Sequence, residues 1–357
     1  MELIGKDSRC IAVTPPINVN ARDRHIFPPS IKTKLAEQRV LRLSDVTAVG
    51  RGPLRQHDDY LAESFVAPNH MDIWKQKGGH YRAALERQIG RSRTIDSPVV
   101  WITDNWSCGY FHWICDALPR LELALQHYPA NELTLVLPYK FRRHGYFLES
   151  LKAFGLKETR ILNRFEKLTC RDFILPCHLA GTGSHDPEMI GRLRDRFGRF
   201  FGALAGRPSG HLARRSSSRV YVSRAIATRR RIANEQDILP ILKRHGFHRV
   251  VAENMTWEEQ IATMLSTEFL ISNHGSGLAN MFAMRPGSSV LEIRERYETG
   301  QGCFWGLASA AQLDYYYMLA DKDDASKSAH WSDVRVDPSE LKRTIEMMVS
   351  SKQKVAA

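Results

Sequence analysis

No apolar run in this 357-residue chain approaches the roughly 20 residues that span a bilayer, so no transmembrane helix is expected. The N-terminus lacks the basic head and apolar core of a secretory signal, and six cysteines are few for the length. Together these lead us to expect reduced thiols and a cytoplasmic setting. A zinc pattern is missing as well. Cys108 and Cys115, and Cys170 and Cys177, stand seven positions apart, which matches no common zinc site, and no metal ligand set is expected. A nucleophile elbow is excluded because Gly-x-Ser-x-Gly would need glycine where His274 stands. Nor do aromatics interleave the basic stretch between Tyr221 and Phe247, which argues against nucleic acid as the partner.

What is present is a globular composition, 43% apolar and 25% charged, with a net charge of +12. That charge suits nucleic acid, an anionic membrane face or an anionic substrate, and composition alone does not choose among them. The length fits two domains. Residues 1–92 read as an irregular, partly β region packed on the first domain, with Pro-Pro pairs and a strand around 63–67. From residue 97 short apolar runs alternate with helical segments: strands near 98–103, 133–137, 160–162 and 171–175, a long helix over 110–128, and further helices at 145–154 and 187–204. Residues 206–218, rich in Gly, Pro and Ser, read as a linker. The alternation then resumes over 219–357, with a Thr256-x-x-Glu259 capping box. The expected fold is α/β: two Rossmann-like domains, 93–205 and 219–357, with ligands at strand C-termini.

Three constellations could carry chemistry. His112 and Asp116, four apart on a helix that follows a strand, can share one ligand, and a carboxylate-oriented His is a candidate base; packing of His112 between Trp106 and Trp113 is the competing explanation. The loop from Ser223 to Glu235 carries Arg224, Arg229, Arg230 and Arg231 between a strand and a helix, suited to clamping a diphosphate or simply solvated. The turn at 272–280 holds His274, Gly275, Ser276 and Gly277, whose glycines would let main chain approach an anion or would only solve a backbone problem. Glu292 ends a strand and could accept a sugar hydroxyl or pair with an arginine. Asp321-Lys-Asp-Asp324 has the Asp-x-Asp spacing of metal-dependent transferases but reads as solvated surface.

Taken in order, Tyr110-Phe-His-Trp, Asp116, Leu118-Pro-Arg120, Ser223-Arg, Arg230-Arg-Ile, Asn234-Glu235, His274-Gly-x-Gly-Leu278, Asn280, Pro286-Gly and Glu292-Ile resemble glycosyltransferase family 61, the DUF563 group. The resemblance implies a GT-B fold and metal-independent, inverting transfer of a sugar from a nucleotide donor, most simply a UDP-sugar as co-substrate with no cofactor. Bacterial members act in capsule or lipopolysaccharide synthesis. Donor contacts would come from Arg224, Arg230, Arg231, Asn234, Glu235, His274, Gly275, Ser276, Gly277, Leu278, Asn280 and Glu292. Asp116 or His112 would be the base. Trp106, Tyr110, Trp113 and Arg120 would meet a saccharide or glycolipid acceptor, with the protein peripheral to an anionic inner membrane. Ile226 stands where such proteins often carry an acid, so no ligand role is expected there. A non-catalytic polyanion or RNA binder, or an inactive GT-B relative, is the alternative.

Overall fold

The computed structural model describes residues 2–50, 52–89, 91–205, 218–297 and 302–356. The segment 206–217, where the sequence suggests a linker, lies outside the described residues. The chain divides into two compact units, one of residues 1–11 and 34–196, the other of 12–33 and 197–357. Among the described residues no two cysteines form a disulfide. Among the described residues no helix is long and apolar enough to cross a membrane.

The first unit is built on a sheet whose parallel strands are β1 (Val99–Val100), β2 (Thr134–Leu137), β3 (Glu158–Ile161) and β4 (Phe173–Pro176). They lie in the spatial order β4-β1-β2-β3, and Arg39–Leu43 adds antiparallel on the far side of β4. Continuous burial along β2 and β4 explains their unbroken apolar sequences, since both faces are covered. The N-terminal region is more regular than its sequence suggests: Val46–Val49 pairs with Glu166–Cys170 in a second sheet of five strands. Residues 63–67 are not a strand; the chain makes a 3-10 turn over Ala62–Ser64. Residues 12–33 group with the second unit. Phe27 is fully buried there, 4.3 Å from the Tyr317 ring, and Ile17 donates to the Tyr315 carbonyl.

The long helix expected over 110–128 is interrupted. One α-turn (Tyr110–His112) passes into a π-turn (Trp113–Ala117) and then an α-helix (Leu118–Ala124). Pro119 supplies the reason: it has no N–H to give the carbonyl four residues back, and its ring would crowd that carbonyl. The wider coil relieves both, with Leu118 N–H bonding the Trp113 carbonyl five residues back.

The second unit repeats the logic with β5 (Arg219–Ser223), β6 (His248–Val251), β7 (Phe269–Asn273), β8 (Ser289–Glu295) and β9 (Asp314–Lys322), all parallel, in the order β6-β5-β7-β8-β9. The capping box forms: Thr256 Oγ1 accepts from Glu259 N at 3.2 Å and the Glu259 carboxylate accepts from Thr256 N at 2.8 Å. Helix Glu235–Arg244 is followed by Gly246 at a φ of +76°, left-handed backbone that favours glycine. In each sheet the strand order reverses once, between β4 and β1 and between β5 and β7. Such reversals leave a crevice at the strand C-termini where α/β proteins bind ligands.

Candidate functional site

In the first unit, the reversal gathers side chains from the segments after β1 and β4. His112 Nδ1 lies 2.7 Å from Asp116 Oδ2. Thr182, from the loop after β4, donates from Oγ1 to the same oxygen at 3.0 Å and sits 3.2 Å from His112 Nδ1. The π-turn matters here: it brings positions 112 and 116 nearly over one another, and Asp116 keeps 12% of its side chain exposed. Trp106 is exposed and its ring lies 5.1 Å from His112. Tyr110 is partly exposed, edge-on to Tyr146. Trp113 and Arg120 are placed otherwise than the acceptor assignment requires. Trp113 is fully buried, donating to Ser150 Oγ, and Arg120 is 1% exposed with its Nε given to the Pro176 carbonyl. Neither presents a surface to a ligand: Trp113 packs against Phe141 and Phe147 of the neighbouring helical turns, and Arg120 is turned onto β4.

Behind this group, Asp104 follows β1 and His178 follows β4. The Asp104 carboxylate accepts from the N–H groups of Trp106 and Ser107, and His178 Nε2 lies 3.0 Å from its other oxygen. Burial alone would raise the Asp104 carboxyl, but His178, Arg120 and the Trp106 N–H outweigh it and hold the group well below the usual range. Burial first, then the positive Arg120, press His178 below its ordinary value against the pull of Asp104. With both groups depressed, the unfolded chain binds more protons, so stability rises with pH. The His178 contribution is complete above about pH 6.5 and is lost as pH falls through the lower folded value; Asp104 adds a second loss below about pH 4. Thermal melts across mildly acidic pH should show Tm falling, and His178→Asn should remove the first part of the fall. An unchanged profile in that variant would refute the linkage.

In the second unit, the reversal falls between β5 and β7. Arg224 leaves β5 half-buried, its Nε donating to the Arg230 carbonyl at 3.1 Å and Nη2 to the Arg229 carbonyl at 3.2 Å. Asn273 Nδ2 braces the same Arg230 carbonyl at 2.7 Å, while Arg230 holds a left-handed φ of 55°. No carboxylate pairs with Arg224 within 4 Å among the described residues. Burial, and then Arg230, lower its pKa. Gly275 is extended at a φ of 166°, so its need for glycine is spatial. A Cβ there would stand 2.2 Å from Arg224 Nη1 and 2.7 Å from Cζ. The glycine therefore makes room for a guanidinium, whereas at Gly277 a Cβ would make only an ordinary contact with Val222.

His274 pairs through Nδ1 with Glu292, and Tyr315 donates to the other Glu292 oxygen at 2.5 Å. Burial would raise the Glu292 carboxyl, but His274, Arg294 and Tyr315 hold it below the ordinary value. Glu292 is fully buried, so it meets His274 instead of a sugar hydroxyl. Glu235 likewise turns inward to Tyr221, Ser223 and Arg249. Asn234 ties to Val336, Asn280 to Gln260, and Arg231 to Asp333 at 2.8 Å. Leu278 is core, while Ser276 is exposed and Gly277 half-buried. The acidic run near 321 is surface pairing: Asp321 with Arg296, Asp323 with Arg335 and Asp324 with Lys327.

The His112–Asp116 pair with Thr182, and Arg224 with the Gly275 turn, fall inside one sequence pattern, whereas Asp104 and Trp106 precede it and Glu292 follows it. The family model for glycosyltransferase 61 matches residues 110–291, more than half of the chain. The chain belongs to glycosyltransferase family 61. Family 61 membership implies transfer of a sugar from a donor to an acceptor. No curated protein matches the sequence. The matched span opens at Tyr110, just ahead of His112, and takes in Arg224 and the Gly275 turn. Thr182, His178 and Asp104 were not singled out from sequence, although Gly181-Thr-Gly183 directly after an apolar run marked a loop at a strand end.

Proposed function

We propose that the protein is a metal-independent, inverting glycosyltransferase of the GT-B class that moves a sugar from a nucleoside diphosphate, most simply UDP, to a saccharide or glycolipid acceptor. The observation that carries this reading is Arg224, a cation without a carboxylate partner among the described residues, held by backbone carbonyls at a strand-order reversal. Donor recognition is assigned to the second unit. Arg224 would neutralise the diphosphate and the exposed Ser276 and half-buried Gly277 would hydrogen-bond it, joined by His274, whose ring and tautomer Glu292 fixes. Acceptor activation is assigned to the first unit. With Nδ1–H given to Asp116, His112 Nε2 takes the proton of the acceptor hydroxyl as its oxygen bonds the anomeric carbon. The bond to the diphosphate breaks on the opposite side, and its electron pair leaves on phosphate. Surface-polysaccharide synthesis at an anionic membrane face suits the net charge of +12.

A panel of nucleotide sugars tests the reading by thermal stabilisation. A donor at roughly a hundred times its Kd should add about 2.7 kcal/mol. Stabilisation by none of them, together with steeply salt-dependent binding of polyanions, would overturn it in favour of a polyanion binder. Gly275→Ala displaces the Arg224 guanidinium, and UDP affinity measured by calorimetry should fall about tenfold, the scale of one charge-assisted hydrogen bond, while Tm holds. Unaltered affinity would count against Arg224 as a phosphate ligand.

A further inference from the structure

A cavity of about 720 Å³ opens in the first unit beside the strand C-termini. Its wall takes Thr103 and Asp104 from the chain after β1, Tyr139 and Lys140 from the chain after β2, and Arg164 from the chain after β3. It therefore occupies the ligand-binding edge of the sheet, and Cys108 in its wall stands four residues before His112.

The wall chemistry is specific. Lys140, Arg143 and Arg164 all line it, and none pairs with a carboxylate within 4 Å among the described residues. Lys140 Nζ donates to the Asn105 carbonyl at 3.2 Å, and burial pulls its pKa below the ordinary value against the attraction of Asp104. Asp104 is the one acid in the wall, and its oxygens are already taken by Trp106, Ser107 and His178. Among the described residues the wall thus sets three cations against one carboxylate and is net cationic. Phe65, Trp74 and Tyr139 supply apolar faces, and Trp74 is braced edge-on by Tyr60 at 5.0 Å. Flat aromatic surface beside unpaired cations fits a ring with C–H faces and an acidic substituent.

We infer that this cavity binds the acceptor and selects one whose saccharide carries an anionic group, a uronate carboxylate or a phosphate. The inference rests on the transferase reading for the word acceptor, but the binding it asserts does not depend on turnover. Arg143 and Arg164 are exposed, so Arg143→Gln and Arg164→Gln test recognition without threatening the core.

The probes are short oligosaccharides bearing glucuronate, galacturonate or a sugar phosphate, each paired with its carboxyl-reduced or dephosphorylated counterpart. Binding to the full-length chain is read by calorimetry. Acid-bearing members should bind preferentially, each substitution should weaken them about tenfold, and the double variant should lose the preference while neutral counterparts are unaffected. Comparing uronate with phosphate members identifies the anion. No binding, equal binding of both members of each pair, or a preference that survives the double variant would overturn the inference. So would loss of UDP affinity in the double variant, since the cavity would then be a donor site. If acidic saccharides bind as expected while no nucleotide sugar stabilises the protein, the cavity stands and the transferase reading fails.

Discussion

Asparagine at position 116 is expected to lower transfer by about three orders of magnitude, within the range that one positioned acid–base group supplies. The amide keeps the shape of the carboxylate but not its charge, and it can turn its NH₂ toward His112 Nδ1, leaving the ring in the wrong tautomer. UDP affinity should be unchanged, because among the described residues Asp116 hydrogen-bonds only with His112 and Thr182. His112→Gln should fall as far, and the double variant little further, since the pair acts as a unit. Initial rates with saturating donor decide this. Full activity in Asp116→Asn would remove the pair from the mechanism, and strong activity in His112→Gln alone would make Asp116 itself the base.

Arg224→Gln should cost about two to three orders of magnitude in kcat, as loss of one preorganised group facing developing charge does elsewhere. Its UDP affinity should drop as well. Lysine at this position should restore little, because a single ammonium cannot both grip two carbonyls and meet a phosphate. Arg229→Gln is the control: Arg229 leans on His330 and lies 4.4 Å over the Trp331 ring, so transfer should hold. Equal losses at both positions would point to general charge attraction instead of a defined phosphate contact.

The α/β character was legible because buried parallel strands carry short, mostly apolar runs, and those at 133–137, 219–223 and 289–293 stand out against polar flanks despite Glu292 within the last. The N-terminal region was not. Its strands are two to five residues long, and Val46–Val49 finds its partner at Glu166–Cys170, a pairing with no local signal. The His112–Asp116 pair could be read from spacing, whereas Thr182 joins it only through the return of β4 beside β1. Arg120 and Trp113 misled for a common reason: an arginine or tryptophan near a strand end reads as a ligand contact until a neighbouring carbonyl or hydroxyl is seen to take its N–H. Gly275 was legible as a close approach, but of a side chain rather than a ligand.

The π-turn at Trp113–Ala117 makes the first site depend on chain length as well as on residue identity. A π-turn is in effect one residue more than a regular helix would hold, kept in place by Pro119. Removing a single residue from that turn would let it close as regular helix with the downstream residues keeping their places, while residues within the turn would move by one position, about 100°, relative to His112. Asp116 could then be present and yet out of reach of His112. Insertions and deletions here should therefore be far less tolerated than substitutions at the turn's exposed positions.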